Sequence, residues 1–178
     1  MKSVYFHNAD RVFQFPNKTA LKKFINDLFK REFNVLYELN YVFCSDEYLL
    51  QINKDHLQHD YYTDIITFDL SEEKNKIIGE IYISLDRVRD NAQTLGTTLK
   101  EESLRVIFHG ALHLCGFKDK TPAHQKIMRA KEDEYIALYT NHKSLQPWER
   151  SWLFFALNPN AQHLETVLIP FVSLTTQR

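Results

Sequence analysis

The sequence predicts an α+β domain, because strand-like and helix-like segments share one chain of 178 residues. Four segments alternate as strands do or are rich in aromatic and β-branched residues: residues 3–7, 36–44, 65–70 and 77–85. Five segments have the apolar spacing or the end signals of helices: residues 20–29, 45–52, 86–96, 98–116 and 121–139. This length suits one domain with a packed core and is short for two.

The first half of the chain alternates strand and helix. After the opening strand, apolar residues recur at three- and four-residue spacing between Ala20 and Phe29, as in an amphipathic helix. The segment LYELNYVFC is typical of a strand, and Ser45 directly after it is a preferred helix N-cap residue. The next two strands, IITFDL and IIGEIYISL, are joined by the polar stretch SEEKN.

Two helices are predicted after the last strand. The first begins at Asp86 and ends at Gly96, since glycine is common just past a helix C-terminus. Thr98 followed by Glu101 matches a capping box, which sets the start of the second helix. That helix contains two histidines and ends at Gly116.

A last helix starts with Thr121 as its cap and Pro122 in its first position, and it continues to about residue 139. Basic and acidic residues alternate along it: Lys126, Arg129 and Lys131 with Glu132, Asp133 and Glu134. Such alternation is typical of a solvated helix face, which is our prediction for these side chains.

The composition changes after residue 140. The segment 141–178 carries both tryptophans, three of the five prolines and only five charged residues. We therefore divide the chain into a domain at residues 1–140 and a C-terminal extension at residues 141–178. The role of the extension stays open.

Composition and charge favour a globular cytoplasmic protein. Apolar residues make up 44% of the chain, and the two cysteines, Cys44 and Cys115, form no CxxC pair. The N-terminal residues lack a signal-peptide pattern, and no stretch reaches the roughly 18 apolar residues of a spanning helix. The net charge of −1 offers no overall electropositive field, so any nucleic-acid contact must use a local patch.

His109 and His113 predict a metal site on the second of the late helices. Residues four apart on a helix have Cβ atoms about 5–6 Å apart, so both imidazoles can converge on one ion. Gly116 lets the backbone turn sharply, and Asp119 then returns to the same side. The pattern H-x-x-x-H-x-x-G-x-x-D parallels the metzincin arrangement of helix, glycine turn and third ligand.

Two neutral imidazoles and one carboxylate suit a single zinc ion with a fourth position open for water. The same donors occur in iron sites, so another divalent metal stays possible. Zinc lowers the pKa of a bound water to about 7 and polarises phosphoryl oxygens, so hydrolysis is the expected reaction class. Cys115 lies inside the motif but points elsewhere on the helix, and we interpret it as a packing thiol.

Gly110 argues against peptidase chemistry. Zinc peptidases with the H-E-x-x-H motif use the glutamate after the first histidine as general base. This chain has Gly110 at that position, so no carboxylate can act from there.

Three motifs of the chain resemble those of one known family. HGALHLCGFKD resembles the H-G-x-L-H-L-x-G-Y-D-H signature of the YbeY endoribonucleases, which are bacterial metal-dependent enzymes. TDIITFDL resembles that family's T-D-V-L-S-F strand, and GEIYIS resembles its G-D-I-x-I-S strand. The motifs occur in the family's order, and the resemblance covers about residues 1–140.

The resemblance implies both a fold and a function. The implied fold is one mixed sheet of about four strands with helices packed on it and the metal site at the end of a central helix. The implied function is single-strand-directed endoribonuclease activity in 3′-end maturation of small-subunit (16S) ribosomal RNA and in ribosome quality control. RNA, and through it the small ribosomal subunit, is the implied partner. By position, the metal ligands are His109, His113 and Asp119.

Two positions depart from the family's pattern. The usual third ligand is histidine, and Asp119 stands in its place, which makes a bound metal less electrophilic and widens the choice of metal. Many members have an arginine six residues before the threonine of the T-D motif, where this chain has Leu57. An arginine at that position would clamp a phosphate, so this role lacks its usual residue.

The catalytic and substrate-binding groups are less defined than the metal ligands. Asp64 and Glu80 belong to the two motif strands and are candidates to orient a histidine or to transfer a proton. Ser84, Arg87 and His59 are candidates for contact with substrate.

Two other functions stay open. One is a ribosome-assembly factor that binds RNA and whose metal is structural; a fourth protein ligand such as Cys115 or His124 would favour it. The other is a metal-dependent hydrolase of small substrates or peptides, which Gly110 disfavours.

Overall fold

The computed structural model describes residues 2–33, 35–73 and 75–144, except for the side chains of residues 142–144. The elements follow one another as β1 (Lys2–Asn8), α1 (Lys18–Glu32), β2 (Leu36–Cys44), α2 (Asp46–Leu57), β3 (Ile65–Asp69), β4 (Lys76–Ser84), α3 (Leu85–Leu95), α4 (Leu99–Leu114) and α5 (Pro122–Ser144). The predicted α+β class is confirmed. From residue 145 onward, the predicted extension lies outside the described residues.

The four strands form one mixed sheet in the order β1-β2-β4-β3. β1 and β4 each pair in parallel with β2, whereas β3 pairs antiparallel with β4. Parallel neighbours need a crossover, and α1 supplies the one between β1 and β2. The mixed sheet of four strands that the resemblance implied is confirmed.

The two faces of the sheet are covered unequally. On one face, alternate residues of β2 are fully buried in the main core: Tyr37, Leu39, Tyr41 and Phe43. Residues of α1, α4 and α5 belong to the same core, among them Phe29, Phe108 and Tyr135. On the other face, a small separate cluster of Cys44, Leu49 and Ile66 involves α2.

Most of the predicted helix ends are confirmed. Ser45 and Thr98 each accept a hydrogen bond from a backbone N–H of the following first turn. Gly96 and Gly116 have φ angles of 65° and 92°, which glycine adopts without steric cost. The last helix, α5, continues past its predicted end to Ser144. None of the described helices is both long and apolar enough to cross a membrane.

α4 lies close to the sheet because Gly110 has no side chain. A Cβ atom at this position would lie 2.8 Å from Ile81 Cγ2 and 2.9 Å from Ile65 Cδ1. Carbon atoms in contact normally lie about 3.5–4.0 Å apart, so a larger residue would push the helix away. A glutamate at position 110 would therefore enter the core between α4 and the sheet.

Candidate metal centre

Three side chains that could hold a metal ion meet at the end of α4 and in the loop after it. The Nε2 atoms of His109 and His113 lie 3.0 Å apart. The Oδ2 atom of Asp119 lies 3.7 Å from His109 Nε2 and 3.5 Å from His113 Nε2. Within the described residues, this is the one group of three or more His, Cys, Asp or Glu side chains close enough to share an ion.

The triangle formed by these three ligand atoms has the size expected for a tetrahedral zinc site. Zinc bonds to imidazole nitrogen and carboxylate oxygen of about 2.0–2.2 Å place tetrahedral ligand atoms about 3.3–3.6 Å apart. The three separations run from 3.0 to 3.7 Å and so bracket this range. One ion can therefore bind all three atoms after only small side-chain movements.

Each imidazole is held through its other ring nitrogen. His109 Nδ1 lies 2.8 Å from Glu132 Oε1, and His113 Nδ1 lies 3.0 Å from the carbonyl oxygen of Phe117. Both partners are acceptors, so in the neutral rings we assign the proton to Nδ1. The two Nε2 lone pairs then face each other and repel, unless a cation lies between them. The donor set therefore fits a metal ion.

Electrostatics favour the metal-binding forms of these groups. Burial, and then the nearby His109, lower the pKa of His113, which favours the neutral ring that binds metal. Burial alone would raise the pKa of Glu132, but hydrogen bonds from His109 and Arg105 lower it below its usual range. Glu132 is therefore ionised at neutral pH, and it orients the His109 ring.

Glu132 is buried, so the predicted solvated face of α5 was wrong at this residue. Only 5% of Glu132 is exposed. Its Oε2 atom accepts hydrogen bonds from Arg105 Nη1 at 3.1 Å and from Arg129 Nη1 at 3.3 Å. The carboxylate thus connects a metal-binding histidine to two guanidinium groups.

The triad lies in an open groove with two arms. Four residues line both arms: Asp64, Ile65, His109 and Asp119. One arm, of about 670 Å³, is named the cationic arm because, among the described residues, it alone of the two contains arginine or lysine side chains, those of Arg105, Lys126 and Arg129. Its lining also contains the carboxylates of Glu102 and Glu132, and both arginines donate to Glu132. The second, of about 510 Å³, is named the aromatic arm, and its lining includes Leu57, His59 and Tyr61. His109 and Asp119 therefore border both arms, whereas His113 borders only the aromatic arm.

The chain matches known proteins over nearly all of this fold. A sequence model of the Endoribonuclease YbeY family matches residues 5–140. The chain belongs to this family. The Endoribonuclease YbeY of Cytophaga hutchinsonii is 52% identical over 137 residues, covering 77% of this chain and 96% of that protein. The one from Flavobacterium johnsoniae is 43% identical over 132 residues, covering 74% of this chain and 94% of that protein.

A solved structure supports the same fold. The solution structure of TM1509 from Thermotoga maritima has a TM-score of 0.52 and 26% sequence identity to this chain. The match covers 88% of this chain and 93% of that one. The family match confirms the YbeY resemblance of the three motifs, and the solved structure shows that the fold also occurs in TM1509.

Two of the five remaining candidates lie in the groove of this YbeY family member. Asp64 lines both arms, and its Oδ2 atom accepts a hydrogen bond of 3.1 Å from Asn91 Nδ2 on α3. His59 lines the aromatic arm, as does Leu57, the residue at the position where an arginine is usual in the family pattern. These residues therefore line the same groove as the triad.

The other three candidates lie elsewhere. Glu80 accepts a hydrogen bond from the Tyr82 hydroxyl at 3.0 Å. Its neighbours along the strand face α4, so the Glu80 side chain lies on the opposite face of the sheet. Ser84 is fully buried, caps α3 and bonds to the carboxylate of Asp46. Arg87 pairs with the same carboxylate at 2.7 Å. The structure does not bring these three side chains to the triad.

The ligand set is open rather than closed. Neither Cys115 nor His124 belongs to the metal-binding group, so the described residues supply three protein ligands and no fourth. Burial raises the pKa of the Cys115 thiol to about 12, and Cys115 packs against the main core as predicted. Three ligands with an open position are typical of catalytic rather than structural zinc.

Sequence reasoning missed the groups that surround the ligands. Glu132 supports His109, Arg105 donates to Glu132, Asn91 binds Asp64, and Glu102 lies in the cationic arm. Glu102 is only 3% exposed, and burial raises its pKa. These residues come from three helices, and no short motif joins them.

Proposed function

We propose that this chain is a metal-dependent endoribonuclease that hydrolyses phosphodiester bonds of single-stranded RNA at the triad. The convergence of three ligand atoms within 3.7 Å of one another, in an open groove of a YbeY family member, carries this proposal. The name of these relatives, endoribonuclease, supports RNA as the substrate.

We propose zinc as the ion that His109, His113 and Asp119 hold. The tetrahedral size of the triangle supports zinc, and elemental analysis of purified protein would distinguish it from iron or another divalent metal. When bound, the metal would act as a Lewis acid toward a phosphoryl oxygen and would increase the acidity of water.

The protein's own groups have separate roles in this proposal. Glu132 and the Phe117 carbonyl hold the two imidazoles in the orientation that points Nε2 into the groove. Asp64 is our candidate for proton transfer, since outside the triad it is the described carboxylate that lines both arms. Lys126 and Arg129 offer positive charge to the phosphates of a strand in the cationic arm.

The cellular role and domain division are further parts of the proposal. We propose that the enzyme acts in the cytoplasm, in 3′-end maturation of small-subunit ribosomal RNA and in ribosome quality control, with the small subunit as its partner. Family membership supports this role. We also propose that residues 1–140 form the catalytic domain, which the family match to residues 5–140 supports, and that residues 141–178 form an extension, of which residues 141–144 continue α5.

A cleavage assay with metal removal tests the proposal. The full chain should cut a fluorescent single-stranded RNA, lose this activity with a chelator and regain it with zinc. His113→Ala should lose both bound zinc and cleavage, because only two ligands remain. His7→Ala is a matched control, since His7 is an exposed histidine on β1 that binds Asn40. Unchanged cleavage after verified loss of metal would overturn the proposal.

A further inference from the structure

The two arms of the groove differ in their chemistry. The cationic arm contains two arginines and a lysine, whereas the lining of the aromatic arm, within the part of the chain that the structure describes, contains neither residue type. Leu57, at the position where the family pattern has arginine, is 41% exposed in the aromatic arm. The charged lining residues of this arm include the carboxylates of Asp64, Asp69 and Asp119, so its described part offers apolar and aromatic surface but no arginine or lysine for a phosphate.

His59 and Tyr61 form a paired aromatic surface in this arm. Their ring centroids lie 5.1 Å apart with an interplanar angle of 23°. The hydroxyl of Tyr61 lies 3.1 Å from His59 Nδ1, which holds the two rings in register. Tyr61 is nevertheless 58% exposed, so much of its surface is open to a ligand.

The backbone under this pair is fixed to α2. Asn53 is only 2% exposed, and its Nδ2 atom donates to the Tyr61 carbonyl oxygen at 2.9 Å. The backbone N–H of His59 donates to the Asn53 carbonyl oxygen at 3.2 Å. Gln58, just before the pair, adopts a left-handed φ of 58°, which turns the chain out of the helix. The aromatic pair is therefore positioned before any ligand arrives, which reduces the entropy lost on binding.

We propose that Tyr61 and His59 form a stacking site for one unpaired nucleobase of the RNA whose phosphate lies at the triad. This inference rests on the proposed function and names the group that the aromatic arm would bind. Every nucleobase has a flat π-face, so stacking on an aromatic side chain tolerates different sequences. A base inside a duplex is already stacked on its neighbours. The pair thus favours single-stranded substrate. The phosphates of the strand would contact the basic side chains of the cationic arm.

Kinetics of the full chain with a short single-stranded RNA test this site. Tyr61→Ala should raise KM by about 5- to 150-fold, the range for removing one aromatic stacking partner. His59→Ala should raise it less, whereas Tyr61→Phe should remain within about twofold of wild type because the ring remains. Tyr48→Ala is the matched control, since Tyr48 is 42% exposed on α2 but lies outside both arms.

Abasic substrates separate stacking from a general structural effect. An abasic nucleotide at one position near the cut should weaken binding to wild type but should cause no further loss in Tyr61→Ala. Wild-type KM in Tyr61→Ala, or an abasic loss that is equal in both proteins at every position, would overturn the proposal. Melting temperatures measured by circular dichroism would verify that each variant is folded.

A binding measurement distinguishes this proposal from the proposed function. If wild type does not cleave RNA, the proposed function fails. The stacking site can then still be tested by itself, through binding of a single-stranded RNA that contains the fluorescent base 2-aminopurine. Quenching of its fluorescence by wild type but not by Tyr61→Ala would support the site. Equal quenching by both proteins, or none by either, would overturn it.

Discussion

The two histidines of the triad lie one helical turn apart, yet they are held in different ways. His113 binds the backbone carbonyl of Phe117, four residues later, whereas His109 binds the carboxylate of Glu132, 23 residues later on α5. The first support is local and made by the main chain. The second is a tertiary contact made by a side chain. The support of His113 is therefore encoded in the motif itself, whereas the support of His109 depends on how α5 packs.

The long-range support has its own partners. Glu132 lies in the core and accepts hydrogen bonds from Arg105 and Arg129. Arg105 also donates to Asp133 at 2.7 Å, at the more exposed end of the network. Mutations on the two sides of the site should therefore have effects of different size and kind.

Removing Glu132 removes the long-range support of His109 and should have the largest effect. In Glu132→Ala, His109 loses its orienting acceptor, and we expect zinc affinity to fall by roughly 10- to 100-fold. Loss of one partner of a buried ion pair should also lower the free energy of unfolding by about 3–5 kcal/mol. Zinc titration against a chromophoric chelator, and urea unfolding with chelator present, measure the two effects.

Asp133→Ala is the control for that variant. Asp133 pairs with the same arginine but has a side chain that is 57% exposed, so both effects should be small. If Glu132→Ala and Asp133→Ala bind zinc equally well, the carboxylate does not support His109.

Straining the turn at Gly116 should weaken the local support of His113. Gly116 has a φ of 92°, so Gly116→Ala should lose about 1–2 kcal/mol of stability. Any relaxation of the turn displaces the Phe117 carbonyl and Asp119, so zinc affinity should fall as well, though less than in Glu132→Ala. Gly96→Ala is a matched control at a φ of 65°, at the end of α3. It should lose similar stability and keep its zinc affinity; a parallel loss of zinc affinity in both variants would contradict the local support.

Replacing Glu132 by glutamine separates orientation from charge. The amide oxygen of Glu132→Gln can still accept from His109 Nδ1, so we expect a loss of zinc affinity of less than about tenfold. Zinc titration of this variant beside Glu132→Ala measures the difference. A loss as large as that in Glu132→Ala would mean that the negative charge, rather than the hydrogen bond, is what His109 requires.

Changing the side chain of Phe117 should have the smallest effect. The support for His113 is a backbone carbonyl, which Phe117→Leu retains. Zinc affinity should therefore remain within about twofold of wild type. A tenfold loss in the same titration would show that the side chain, through its packing, sets the position of the carbonyl.

The same division between local and long-range information explains what the sequence could predict. The convergence of the two imidazoles, the cap at Thr98 and the turn at Gly116 all depend on a few neighbouring residues, and the structure shows each of them. The order β1-β2-β4-β3 depends on contacts between distant segments. Only the family resemblance, and no local pattern, implied a mixed sheet.

Glu132 shows how a local pattern can mislead. Alternating charges on α5 predicted a solvated face, but Glu132 lies in a stripe with three buried residues at three- and four-residue spacing: Met128, Tyr135 and Tyr139. An acidic residue inside an apolar stripe was the available signal for a buried, partnered carboxylate. Arg105 and Asn91 gave no comparable signal, because their partners are far away in the sequence.

Zinc X-ray absorption spectroscopy of the zinc-loaded full chain tests the central claim most directly. Two imidazoles and a carboxylate predict one shell of nitrogen and oxygen atoms at about 2.0–2.2 Å, with the outer scattering of two histidine rings. The spectrum of His113→Ala, which should lose its bound zinc, checks the assignment of the ligands. A sulfur scatterer at about 2.3 Å, or an unchanged spectrum in His113→Ala, would contradict a metal centre built from His109, His113 and Asp119.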